Sequence, residues 1–242
     1  MTKPTYDHDF WESLWSKTLR EHSDKVATRP PNVHLTTEAQ RLRPGRAVDA
    51  GCGHGAESLW HATHGWRVTA VDFSIAALDH ARSTAEAAGQ ALAERIDFVH
   101  ADLTIWAPAS AGYDLVSSLY VHVPGSVEAM VQRLARGVAL GGTLLLVGHP
   151  PVDPATGAPT AAAGQTQVSV ETAVVALHPR EWTLGVAEER PRVVGSGVDA
   201  VICARRISCP SLADSLQARF TREAAGPPPC QRKEGLLTNR CS

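Results

Sequence analysis

The chain has 242 residues, 43% of them hydrophobic and 20% charged, which suits one α/β domain or one domain plus an appendage. Lys and Arg total 23 against 25 Asp and Glu, too even a balance for a dedicated nucleic-acid binder, and no apolar run reaches the roughly 20 residues a bilayer requires. The polar N-terminus, MTKPTYDHDFWESLW, and five cysteines without a CxxC pair point to a soluble cytoplasmic protein with no disulfide framework and no metal site.

Residues 1–44 read as an N-terminal helical lid region. Phe10, Trp11, Leu14, Trp15 and Leu19 fall on one helical stripe, and Pro30-Pro31 supplies a hinge. Trp11 and Trp15, four apart, project from the same face and could close over a bound molecule. Residues 45–207 then alternate short β-rich runs with helical ones. RAVDAG is a first strand running into glycines, and residues 56–64 form a helix stopped by Gly65. RVTAVDF is a second strand, and Ser74 caps a helix with Ile75, Leu78 and Ala85 inward that ends at Gly89. IDFVHAD and YDLVSSLY are the third and fourth strands. Ser126 caps a helix carrying Val127, Met130, Val131, Leu134 and Val138 at helical spacing, and Gly141-Gly142 turns the chain into the apolar strand TLLLVGH. Residues 150–167 read as a loop, followed by two strands near residues 183–189 and 200–206. Such alternation predicts an α/β fold, a doubly wound, mostly parallel seven-stranded sheet with helices on both faces and an antiparallel edge hairpin. Residues 208–242 lose periodicity and contain Pro227-Pro228-Pro229, which predicts a disordered tail.

The sharpest feature is Asp49-Ala-Gly51-Cys-Gly53-His-Gly55 between the first strand and the first helix of the core. Glycines there let backbone approach a ligand closely at a helix N-terminus. Asp72 ends the second strand 23 positions after Asp49, near the roughly 20-residue offset of a carboxylate that accepts from a ribose diol. The glycines alternate strictly, unlike the dinucleotide G-x-G-x-x-G, and an acidic residue precedes them where a pyrophosphate would be repelled. A nucleoside cofactor with an ammonium group and no phosphate fits better, a description that matches S-adenosylmethionine (SAM).

VDAGCGHGAESLW, GWRVTAVDFS, the ADL at 101–103 and ALGGTLLLVGH together resemble the motifs of class I SAM-dependent methyltransferases. FWESLW and Pro31-Asn32 resemble the leading helix and loop of a bacterial small-molecule subgroup, related to the tellurite-resistance and thiopurine methyltransferases. The resemblance covers about residues 8–206 and implies a Rossmann-like fold. It implies that Asp49, Gly51, Gly53 and Gly55 surround the methionine part of SAM, that Asp72 takes the ribose hydroxyls and that Phe73 packs on adenine. It further implies that Asp102 accepts from the adenine amino group, with the Leu103 backbone adjacent; the helical face of Trp11 and Trp15, read as a lid over SAM, adds Trp15 to the cofactor site. His54 stands where the family has an acidic residue in the loop.

Methyl transfer from a sulfonium needs an in-line nucleophile and water exclusion, with a general base only when the acceptor carries a proton. Tyr120 and His122, where the fourth strand ends, are the candidate catalytic residues, with His149 after the fifth strand behind them. The expected acceptor is a small molecule, uncharged or anionic, handled by a monomer or homodimer with no nucleic-acid or membrane partner. The Asn/Asp-Pro-Pro-aromatic run of base-flipping enzymes is absent after strand four, where the chain reads SSLYVHVPG. Two other readings stay open: an NAD-dependent oxidoreductase with the same strand–glycine–helix–acid layout, and a non-catalytic SAM-binding module.

Overall fold

The computed structural model describes residues 8–150, 157, 167–192 and 197–208. The predicted disordered tail lies outside them, apart from Ser208, as do most of residues 150–167. Two helices open the chain. Helix α1 (His8–Ala27) breaks its helical dihedrals at His22, and α2 (Val33–Ala39) starts at Asn32, whose side chain accepts from the backbone N–H groups of His34 and Leu35. The core follows as β1 (Arg46–Ala50), α3 (Ala56–Thr63), β2 (Arg67–Asp72), α4 (Ile75–Ala88), the single turn α5 (Gln90–Ala93), β3 (Ile96–His100), β4 (Tyr113–Leu119), α6 (Val127–Ala135) and β5 (Val138–Gly148). Helix α7 (Val170–Ala176) and strands β6 (Trp182–Pro191) and β7 (Val198–Arg206) complete it.

The seven strands lie in the order β3-β2-β1-β4-β5-β7-β6. The first five are parallel, and β7 runs antiparallel to both β5 and β6. The expected Rossmann-like sheet with its antiparallel edge hairpin is therefore the fold observed. Side-chain alternation splits β5 between two layers: Leu144 and Leu146 join Met130, Val131 and Leu134 of α6, whereas Leu145 joins Leu35, Trp66 and Leu78 on the opposite face. Both layers are fully buried, so the sheet is a rigid plate whose strand ends cannot drift.

Ser74 and Ser126 cap α4 and α6 as their sequence positions predict. Three details differ. Ile75 is 53% exposed, because the residue directly after the cap faces outward while Leu78, Ala81 and Ala85 carry the inward stripe. Strand β5 begins before the Gly141-Gly142 pair, since Val138 pairs with Tyr113 and a register shift absorbs the glycines. Helices α2, α5 and α7, each seven residues or fewer, have too few turns to register as periodic pattern.

Candidate functional site

Beyond Ala50 the chain turns through three left-handed glycines, Gly51 (φ 80°), Gly53 (φ 51°) and Gly55 (φ 82°). A Cβ at Gly51 would collide with Val121 Cγ2, and one at Gly53 would stand 2.9 Å from Trp15 Cζ2, so space and backbone conformation both require glycine. The loop forms the floor of a cavity of about 1240 Å³ at the C-terminal edge of the parallel strands. Asp49, Gly51, Gly53, Asp72, Phe73, Asp102, Leu103 and Trp15 all line it, and so do Tyr120 and His122. Gly55 does not: it starts α3 and faces Ala81 of α4, 2.7 Å from where its Cβ would stand, so its part is helix packing and not ligand contact.

The cofactor end is strongly acidic. Asp49 is buried and accepts from Ser58 Oγ at 2.6 Å; burial, then the nearby Glu57, pushes its carboxyl up to about 7 against the pull of that hydrogen bond. Burial likewise raises Glu57, although its Oε1 accepts the Asn32 backbone N–H at 2.8 Å, and raises Asp72. No cationic side chain among the described residues pairs with Asp49, Glu57 or Asp72. Two buried carboxylates, Asp49 and Asp72, with the half-buried Glu57 beside them around a glycine cradle, are the complement of a ligand that brings positive charge. SAM carries an ammonium and a sulfonium and no phosphate, so these residues fit it, whereas a pyrophosphate would meet three carboxylates. Held there, SAM would supply an electrophilic methyl group.

The wall expected to take adenine carries fewer side-chain hydrogen bonds. Phe73 is half-buried on the cavity wall, its ring 5.3 Å from that of His8. Asp102 is exposed and Oδ1 accepts from the Thr104 N–H at 2.8 Å, a turn-closing bond that leaves Oδ2 for a ligand. Leu103 is buried and its carbonyl is held by Arg133 Nη1 at 2.8 Å. Above them α1 closes the wall: Trp15 lies over Gly53 and 5.8 Å from the His54 ring, and Trp11 stacks on His122 at 4.9 Å. Burial pushes His54 down to about 4, so the loop holds a neutral imidazole where the family motif has an acid.

At the far end the strand termini converge on Asp199, at the start of β7. Tyr120 Oη donates to Asp199 Oδ2 at 2.9 Å and accepts from Asn32 Nδ2 at 2.7 Å. Asp199 Oδ1 lies 2.8 Å from His149 Nδ1 and 3.1 Å from Arg192 Nε, and His34 Nε2 stands 3.5 Å from Oδ2. Burial alone would raise the Asp199 carboxyl, but hydrogen bonds from His149 and Tyr120 and the charge of Arg192 bring it below its ordinary value. Tyr120 itself has φ 55°, a left-handed tyrosine of the kind that clusters at functional sites. Burial, then the Asp199 charge, pushes its phenol above its ordinary value, and burial with His149 nearby pushes His122 down to about 4. The phenol is thus held as a donor, and His122 is a neutral, weakly basic ring at pH 7.

Glu57, Asn32, Asp199, Arg192 and His34 were not among the residues the sequence singled out for chemistry. Asn32 carried a trace in the Pro31-Asn32 pair, and Glu57 falls within the glycine motif. Asp199 carried none, because it reaches Tyr120 only once the β6–β7 hairpin has reversed the chain. His54, His61 and His64 do not converge: His54 lines the cavity, His61 is buried and His64 stacks on Trp60 at the surface.

The fold is the one that solved SAM-dependent methyltransferases share. Residues 47–142 match the family model Methyltransf_25, described as a methyltransferase domain. Among curated relatives, the chain is 32% identical over 136 residues to the trans-aconitate 2-methyltransferase of Paracidovorax citrulli, covering 54% of this chain and 49% of that protein. It is 27% identical over 194 residues to thiocyanate methyltransferase 1 of Arabidopsis thaliana, covering 78% and 80%. A solved SAM-dependent methyltransferase from Mesorhizobium loti superposes with a TM-score of 0.57 at 22% identity, over 72% of this chain and 98% of that one. The chain spans about half the length of the first curated relatives it matches. Among the described residues, no helix is long and apolar enough to cross a membrane.

Proposed function

We propose that the protein transfers the methyl group of SAM to a small-molecule acceptor. The observation that carries this reading is the polarity of one cavity. Its glycine floor holds three carboxylates, two of them buried, suited to a cationic cofactor, and its opposite end is lined by Tyr120, His122, His149 and Arg192. Asn32 joins the halves, giving its backbone N–H to Glu57 and its side-chain amide to Tyr120. The N-terminal region, in its described residues 8–44, is the lid of that cavity, with Trp11 and Trp15 excluding water from the reacting atoms. The aromatic cover and the near-neutral chain favour a compact, uncharged or anionic acceptor, as in the small-molecule subgroup whose leading helix FWESLW resembles. Two of the relatives' names support this class, a trans-aconitate methyltransferase and a thiocyanate methyltransferase.

Calorimetry with SAM against NAD tests the cofactor half, with binding of SAM alone expected. Radiolabelled methyl transfer to a panel of thiols, phenols, carboxylic acids, amines and metalloid oxyanions tests the acceptor half. Binding of NAD instead of SAM, or methyl transfer confined to RNA or protein, would overturn the proposal.

A further inference from the structure

We propose that His149, held by Asp199, is the general base of the transfer, so that the acceptor is a protic nucleophile: a hydroxyl, thiol or amine that gives up a proton on methylation. This rests on the methyltransferase reading above and narrows its acceptor.

His149 is held by its ring face, one ring edge and its backbone. Tyr120 stacks on its face with centroids 4.1 Å apart at 29°, Asp199 Oδ1 takes its Nδ1 edge at 2.8 Å, and Gln167 Oε1 accepts its backbone N–H at 2.8 Å. With Nδ1 turned to Asp199 and Arg192, Nε2 is the ring atom left for the cavity that His149 lines, and the side chain is 26% exposed. A carboxylate that accepts from Nδ1–H fixes the tautomer whose Nε2 lone pair is open, the arrangement a base requires. Arg192 Nη2 stands 2.6 Å from Nδ1 and 3.1 Å from Asp199 Oδ1. Its charge offsets that of Asp199, so the pair beside the ring is neutral overall. Its guanidinium also competes for the same ring edge, which makes the tautomer the decisive quantity.

The other candidates at this edge are spent. Tyr120 already donates its proton to Asp199, and the half-buried His122 is a poor proton acceptor, stacked on Trp11 with Gln167 Nε2 3.1 Å from its Nε2. In the step itself the acceptor's lone pair forms the new bond to the methyl carbon. The carbon–sulfur bond breaks with its pair left on sulfur, which becomes a neutral thioether. The acceptor's proton passes to His149 Nε2 and from there to solvent. An anion with no proton to lose, such as thiocyanate, would have no use for the dyad.

The groups facing His149 are Asp199 from β7, Arg192 after β6, Tyr120 and His122 at the end of β4, and His34 of α2 across Asp199. The test has two arms on the full-length protein. Nitrogen-15 NMR of the histidine rings should show His149 in the Nδ1–H tautomer at neutral pH, a state lost in Asp199→Asn. In the second arm, methyl transfer is measured with phenols, aliphatic and aromatic thiols, hydroxy acids and amines, beside iodide and thiocyanate. Turnover of a protic acceptor should fall about 10²–10⁴-fold in His149→Gln. SAM affinity by calorimetry should stay unchanged, and the acidic limb of the kcat–pH profile should disappear. Asp199→Asn should lower kcat without raising KM.

An Nε2–H tautomer in the wild-type protein overturns the proposal, whether or not any probe turns over. So does a His149→Gln variant that keeps wild-type turnover of a protic acceptor, or turnover restricted to iodide and thiocyanate. Failure of the wild-type protein to bind SAM would instead overturn the methyltransferase reading beneath it.

Discussion

The backbone N–H of Gly53 donates a 2.8 Å hydrogen bond to Asp72 Oδ2, tying the middle of the glycine loop to the end of the neighbouring strand. Oδ1 of the same carboxylate accepts from the Ser74 N–H at 2.9 Å. One side chain therefore shapes the cradle and steadies the start of α4, and it lines the cavity where we propose that it takes a ribose diol.

Asp72→Ala should then do two things at once. Losing charge-assisted hydrogen bonds to the ribose should weaken SAM binding by about 1.5–3 kcal/mol. Losing the acceptor for two backbone N–H groups should also lower the melting temperature. Calorimetry and thermal unfolding of the variant read the two effects separately, and unchanged SAM affinity in a folded variant would remove the ribose assignment.

Asp49 predicts a proton linkage. With its carboxyl near 7 in the ligand-free chain, it holds a proton at mildly acidic pH, and an ammonium placed beside it favours the charged form. SAM binding should release a proton at about pH 6, and affinity should rise with pH until it levels off above about 7. The folding sign runs the other way: a carboxyl raised above its ordinary 3.8 costs stability as pH climbs from about 4 to about 7. Calorimetry in buffers of different ionisation enthalpy measures the released proton, and Asp49→Asn should abolish it.

The cofactor half of the site was legible because its determinants are local. Glycines at 51 and 53, an acid before them and an acid at the end of the next strand are fixed by chain conformation within 24 residues. The acceptor half was not. Tyr120 and His149 stand at strand ends that periodicity could place, but Asp199 is 79 positions from Tyr120 and joins it only through the antiparallel pairing of β7 with β5. Gly55 shows the reverse: it shares the motif yet serves a helix contact with Ala81, a distinction that requires the packing and not the pattern.

Gly53→Ala should separate loop geometry from carboxylate chemistry. The left-handed backbone costs roughly 1–2 kcal/mol for a residue with a Cβ, and that Cβ would press on Trp15 at 2.9 Å. SAM affinity should fall, and restoring room with Gly53→Ala/Trp15→Ala should recover less than the full loss, since the strain remains. Equilibrium binding of the single and double variants checks the order.

His61 should govern part of the acid unfolding. The ring is completely buried beside Trp66 with neither nitrogen hydrogen-bonded, and burial, then His64, pushes it down to about 3. The unfolded chain takes up that proton below about pH 6.5 while the folded one refuses it, so stability is complete above about 6.5 and declines as pH falls toward 3. Urea unfolding between about pH 4 and 7 should show a shallower decline for His61→Leu than for the wild-type chain.

Because β7 is reversed, its first residues, not its last, arrive at the edge where the parallel strands finish. A parallel strand in that place would bring its C-terminal end there and leave Asp199 at the opposite edge of the sheet. Arg192 and Asp199 thereby reach the cavity from the reversed hairpin, at the end where Tyr120 and His149 stand. On the function proposed above, exchange of that hairpin among chains of this fold would alter the acceptor end and leave the glycine loop as it is.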